Sequence, residues 1–137
     1  MPFLTSAANV ATRRLPKLLS PDAHRAADYL VAGSLIAAGA FFWRRNRRAA
    51  LASWVSGGSL LGLSALTSYP GRPRRHLAFH AHGQIETGVA AMVAAMPEFF
   101  HFEDEKQRHF FALQAVLLTA VSRLTAFSEK PSRRLLR

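Results

Sequence analysis

The chain has no cysteine, which excludes disulfide staples, cysteine-based zinc sites and thiol chemistry. Acids are scarce as well, with 8 Asp/Glu against 18 Lys/Arg and a net charge of +10, so an acidic tail or halophilic surface is ruled out. No Gly-rich phosphate loop, Ser-His-Asp spacing or HExxH appears, and no catalytic residue or cofactor is expected. At 137 residues there is room for one compact unit and not for two ordinary domains. The last thing missing is charge over long stretches. Residues 49–71 and 29–43 carry none, 110–122 carry none, and a further run is broken only at its edges by Glu86 and Glu98.

A helix rises ~1.5 Å per residue, so ~20 residues cross a ~30 Å hydrocarbon layer. Segments of about 27–43, 49–69, 84–102 and 109–127 fit that length. A soluble helix needs a polar face, and the stretch from Leu51 to Leu63 offers none. That stretch is rich in Gly and Ser, poor helix formers in water but common where membrane helices approach closely. Ser53 with Gly57, and Gly58 with Gly62, form two small-xxx-small pairs expected to pack helix on helix. The expected fold is therefore all-α, a four-helix transmembrane bundle.

Basic residues set the expected orientation. Eleven lie on the side of both termini: Arg13, Arg14, Lys17, Arg25, Arg72, Arg74, Arg75, Lys130, Arg133, Arg134 and Arg137. Six lie opposite: Arg44, Arg45, Arg47, Arg48, Lys106 and Arg108. Both termini are expected to be cytoplasmic, in a bacterial inner membrane, with anionic lipid headgroups as partners of the basic flanks. Nucleic acid is not expected, since no binding motif is present and the basic residues fall on both sides. Residues 1–22 read as a cytoplasmic or interfacial segment. The Arg13-Arg14 pair resembles an export signal, but Asp22, Arg25 and Asp28 precede the apolar run and no cleavage site follows it.

Shifting the chain by 58 residues superposes its halves without a gap. Twelve of 52 pairs are identical, where chance would give about four. His24 meets His82, Asp28 meets Glu86, Ser64 meets Ser122, and Thr67 meets Thr125. The expected organisation is a two-span repeat at 23–75, a second at 81–133, and a basic tail at 134–137. Each unit has an even number of spans, so the two should be related by a pseudo-two-fold axis along the membrane normal. That axis brings His24/Asp28 and His82/Glu86 to one depth.

The His-x-x-x-Asp/Glu that opens a span, the Leu-Thr-x-Tyr closing the next, and the second His-Gly-x-x-Glu with a late Pro and Phe resemble the small bacterial SPW-repeat membrane proteins. The likeness covers about residues 20–127. Met96-Pro97-Glu98 stands where that family carries Ser-Pro-Trp or a similar triplet, and Ala38-Gly39-Ala40 stands there in the first repeat. The resemblance implies four spans and no activity.

His24, Asp28, His82 and Glu86 are the candidate polar cluster, because ionisable groups within a span are costly and face a partner or a cavity. Two histidines and two carboxylates about a two-fold axis could ligate a divalent metal or relay protons. The plainer expectation is structural and metal-free, each carboxylate accepting from its own histidine and from Thr67 or Thr125. Ser64 and Ser122 share the helix faces of those threonines. Arg123 is expected to snorkel to the inner surface rather than pair with Glu86. Phe41, Phe42, Trp43, Phe99, Phe100 and Phe102 read as an aromatic belt at the outer interface. The leading expectation is a structural or accessory subunit of a larger membrane complex, not an enzyme. The alternative is a small transporter or a metal- or proton-handling protein.

Overall fold

The computed structural model describes residues 17–127. Over that range the chain is all-helical apart from short two-residue pairings: α1 (Pro21–Phe42), α2 (Arg47–Leu66), β1 (Thr67–Ser68), β2 (Leu77–Ala78), α3 (Phe79–Phe99) and α4 (Glu105–Leu124). The helices form a four-membered ring in which α1 contacts α2 and α4, and α3 contacts the same two.

The helices begin earlier than the charge-free runs suggest, and in three of the four a side-chain cap marks the start, whereas α3 begins at Phe79 with no side-chain cap. Ser20 accepts from the Ala23 amide and Pro21 occupies the first turn of α1. Asn46 accepts from the amides of Arg48 and Ala49, and Asp104 from those of Lys106 and Gln107. The expected boundary at residue 22 therefore moves. Pro21 is already helical, and the Leu19 amide already donates to the Leu124 carbonyl at 3.0 Å. Residues 1–16 and 128–137, with the basic residues and the 134–137 tail assigned to them, lie outside the described residues.

α2 and α4 end in the same way. Thr67 and Thr125 leave helical geometry for extended backbone, at φ −84°, ψ 136° and φ −100°, ψ 134°. Each then pairs in parallel with a residue leading into another helix, Thr67 with Leu77 and Thr125 with Leu19. The members of the two pairs differ by 58 residues, Leu19 against Leu77 and Thr67 against Thr125. This is why α2 stops at Leu66 and does not run on to residue 69.

Packing follows small residues, but not all of those expected. A Cβ built on Gly57 would lie 3.0 Å from the Ala32 carbonyl oxygen, Leu35 and Ile36. Gly57 and the buried Ser53 thus let α2 approach α1 closely. A Cβ on Gly58 or Gly62 would meet nothing within 4 Å. The Gly58/Gly62 pair therefore plays no part in packing this chain, a correction to the sequence-based expectation. It lies one position off the face that α1 covers. Gly39 accepts the Trp54 indole, whose Nε1 donates to the Ile36 carbonyl at 3.1 Å.

The core runs through Leu35, Leu60, Val93, Phe111 and Leu118, all fully buried. The expected aromatic belt divides. Phe41, Trp43 and Phe99 are exposed, whereas Phe42 and Phe102 are buried and stack edge-on against Phe110 and Phe111. Two of the six belt residues are core and Phe100 is partly buried against it, because the helices close over them at that end.

Candidate functional site

The end of the bundle where α1 and α3 begin and α2 and α4 finish holds the polar centre. His24 and Asp28 are one turn apart on α1, and His82 and Glu86 one turn apart on α3, so each pair shares a helix face. All four side chains are 0% exposed. Their inner atoms converge. His24 Nε2 lies 3.1 Å from His82 Nε2, 3.2 Å from Asp28 Oδ2 and 3.3 Å from Glu86 Oε2. His82 Nε2 lies 3.0 Å from Asp28 Oδ2 and 3.8 Å from Glu86 Oε2.

A second set of side chains fixes the orientation of these four, and it works crosswise. Thr125, after α4, binds His24 Nδ1 on α1 at 2.8 Å, and Thr67, after α2, binds His82 Nδ1 on α3 at 2.8 Å. Each threonine hydroxyl donates its single proton back to a helix carbonyl, Leu63 for Thr67 at 2.6 Å and Val121 for Thr125 at 2.7 Å. The threonine oxygen is then left as an acceptor, so each histidine Nδ1 carries the proton and donates. In the neutral ring this assigns the free lone pair to Nε2, on the side facing the cluster. Ser64 donates to Asp28 Oδ2 at 3.2 Å and Ser122 to Glu86 Oε2 at 2.5 Å.

The structure brings His24, Asp28, His82, Glu86, Ser64, Ser122, Thr67 and Thr125 together, with roles other than those expected. The threonines were expected to donate to the carboxylates. Their hydroxyl protons are committed to the helix backbone, so they serve the histidines, and the serines serve the carboxylates. Arg123 is exposed and makes no ion pair among the described residues, and its carbonyl accepts from Lys17 Nζ at 2.8 Å. His76, His80, His101 and His109 are exposed and outside the cluster.

An aromatic layer closes the site on its outer side. The Phe79 ring centroid lies 4.8 Å from that of Phe127, and His24 meets the edges of both, with centroids at 5.8 and 5.1 Å. Tyr69 lies 5.8 Å from the His82 ring and is itself buried. Burial pushes its hydroxyl up to about 12, so it remains a neutral phenol at physiological pH. Gly83 makes room for this layer, since a Cβ there would lie 2.9 Å from the Phe127 ring. In the first half the corresponding position is Arg25, whose guanidinium lies over Tyr69, 5.8 Å from the ring centroid.

Within the described residues, His24, Asp28, His82 and Glu86 form a group able to hold a metal ion, one ligand atom from each, all within 4.8 Å of one another. Two further polar links were not expected. Ser34 on α1 shares its single hydroxyl proton between the Val31 carbonyl at 2.8 Å and Gln114 Oε1 on α4 at 3.1 Å, and Asn46 donates to Gln107 at 2.9 Å. Gln107 and Gln114 are seven apart with Phe111 between them, all buried on one face of α4. That spacing is the signal that could have found them. Comparison of the chain with protein-family models, with curated proteins and with solved structures finds no match.

Proposed function

We propose that the chain is a multi-pass integral membrane protein of four spans, acting as a structural or accessory subunit without catalytic chemistry. The observation that supports this most directly is the inversion of polarity between surface and interior. Leu30, Val55, Ile85, Leu113 and Val116 are exposed partway along the helices, whereas His24, Asp28, Ser53, Ser56, Glu86 and Gln114 are buried. In water each such exposed side chain forgoes ~1.5–3 kcal/mol of burial, and a soluble bundle shows the opposite pattern. In hydrocarbon the apolar side chains are already solvated and polar groups are driven inward to partners.

α1 and α2 are long and apolar enough to cross a membrane. The core helix of a soluble protein has similar composition but is mostly buried. Here only 33% and 50% of the apolar windows are covered. α3 and α4 are less apolar partly through the buried His82, Glu86, Gln107 and Gln114 and partly through exposed charged residues near their ends. Composition therefore understates the apolarity of the face they would turn to lipid. Their charges lie at the ends, with none between Thr87 and Pro97 or between His109 and Ser122.

In this arrangement the two repeats, each with an even number of spans, face each other across a pseudo-two-fold axis along the membrane normal, and the resemblance to SPW-repeat proteins implies the four spans. The crosswise pairs Leu19–Thr125 and Leu77–Thr67 support that axis. The cluster end faces the cytoplasm of a bacterial inner membrane, where the basic flanks bind anionic headgroups. At the other end Arg45 lies over the Phe41 ring at 4.9 Å and Arg47 over Trp43 at 4.7 Å. Cation–π contact holds these charges at the interface without a cytoplasmic leaflet to attract them.

Because the chain is free of cysteine, single cysteines test the topology directly. A thiol at position 46 should react with an impermeant reagent from outside intact cells, and one at position 73 only after permeabilisation. The reverse pattern overturns the orientation. Labelling of both in a soluble fraction overturns the membrane assignment.

A further inference from the structure

We propose that His24 Nε2, His82 Nε2, Asp28 Oδ2 and Glu86 Oε2 are the ligands of one divalent transition-metal ion, held tetrahedrally, with zinc the ion of best fit. The proposal deepens the structural role given above by supplying what joins the two halves. It stands on ligand geometry whether or not the helices cross a membrane.

The first argument is distance. A tetrahedral ion with ligands at ~2.0–2.1 Å has ligand-to-ligand edges of ~3.3–3.4 Å. Five edges of this cluster measure 3.0, 3.1, 3.2, 3.3 and 3.8 Å, on both sides of that value, and the sixth, between the two carboxylate oxygens, is within 4.8 Å and would shorten on binding an ion. Side chains brought together only to hydrogen-bond pair off in twos. Here four atoms converge on one point.

The second argument is the direction of the protons. Thr67 and Thr125 hold both Nδ1 atoms as donors, so neutral rings present two bare Nε2 atoms to two carboxylate oxygens. Four acceptors then face one another inside a shell with no exposed surface. A shared proton between the two Nε2 atoms serves one edge and leaves the others acceptor against acceptor, and protons on both would satisfy the carboxylates at 3.0–3.3 Å but set two N–H groups against each other at 3.1 Å. A single ion at the centre satisfies all four atoms. Its two positive charges also cancel the two carboxylates, leaving a buried centre with no net charge.

Two further features point to the same occupant. Asp28 Oδ1 and Glu86 Oε1 are buried and have no hydrogen-bond partner. A carboxylate loses less by this when its other oxygen is bound to a cation. The threonine–histidine bonds supply the outer contact that metal-binding histidines almost always make through the second ring nitrogen. Two imidazoles and two carboxylates in a closed set of four suit zinc or its neighbours. Calcium takes six to eight oxygens, and magnesium demands an octahedron with waters. All four positions come from the protein, which is the mark of a structural site and not a catalytic one.

The test uses the full chain purified in mild detergent from cells grown with zinc. Elemental analysis should find one equivalent of metal. After chelation and addition of cobalt(II), one equivalent should give the strong visible absorption of tetrahedral cobalt. Asp28→Asn and His82→Gln should each weaken cobalt binding at least ten-fold, while Gly58→Ala, on the open face of α2, should bind as the parent does. Wild-type protein that remains helical yet holds no metal and gives no cobalt band would overturn the proposal. So would a weak octahedral spectrum, or binding that survives His24→Gln, since either points to the exposed histidines. Because the cobalt titration uses the wild type, failure of a variant to fold does not blunt it. The cysteine-labelling result can stand or fall separately.

Discussion

Gly57 and Gly58 are adjacent on α2, yet the same substitution should act on them in opposite directions. At Gly57 an added methyl would lie 3.0 Å from the Ala32 carbonyl oxygen, from Leu35 Cβ and from Ile36 Cγ1. Two of these three atoms are backbone or Cβ, which cannot swing aside, so α1 and α2 must separate. Overpacking of this kind costs ~1–3 kcal/mol. At Gly58 the methyl meets nothing within 4 Å, so the only effect is on the helix itself. Replacing Gly by Ala in a compatible backbone gains ~0.4–1 kcal/mol. The two variants should therefore differ by about 1.5–4 kcal/mol. Denaturation by SDS in mixed micelles reads this through Trp43 and Trp54, whose rings lie 5.4 Å apart at the α1–α2 contact. Equal destabilisation by both substitutions would refute the reasoning and restore Gly58 and Gly62 as a packing pair.

Thr67→Val should cost ~1–3 kcal/mol, because it leaves the buried Nδ1–H of His82 without an acceptor. Thr67→Ser, which keeps the hydroxyl, should recover most of that loss in the same unfolding assay, and failure to recover would place the cost in the lost methyl. Gln114→Leu removes the 3.1 Å bond from Ser34. Ser34 retains its bond to the Val31 carbonyl, so under the proposed four-span reading the loss should stay near the ~0.6 kcal/mol average for hydrogen bonds between membrane helices. A loss of several kcal/mol would mean that Gln114 supports more than this one contact.

What was legible in the sequence is what periodicity and repetition carry. Four helices follow from four charge-free runs, and the 58-residue offset marks His24, Asp28, His82, Glu86, Ser64, Ser122, Thr67 and Thr125 before any contact is known. Helix ends were misplaced by several residues, because Ser20, Asn46 and Asp104 set the starts through side-chain bonds that hydropathy does not register. On α2, Gly57 lies against α1 and Ser53 is buried, whereas Gly58 and Gly62 face open space. The pairs Ser53/Gly57 and Gly58/Gly62 are offset by five positions in a helix of almost uniform polarity, where no apolar stripe tells the inner face from the outer.

The roles within the cluster were hidden for a different reason. An offset says which residues are equivalent, not whether each bonds within its own half or across to the other. The serines stay within their halves, Ser64 with Asp28 and Ser122 with Glu86, while the threonines cross, Thr67 to His82 and Thr125 to His24. The exchange has a mechanical origin. Thr67 and Thr125 sit where α2 and α4 turn into extended backbone, and that backbone pairs with the strand leading into the other half. The threonine is therefore carried to the histidine that begins the other half's first helix. Neither half can orient its own histidine, so the polar centre is completed only when both are in place, and the interface between the two halves becomes the most specific contact in the molecule.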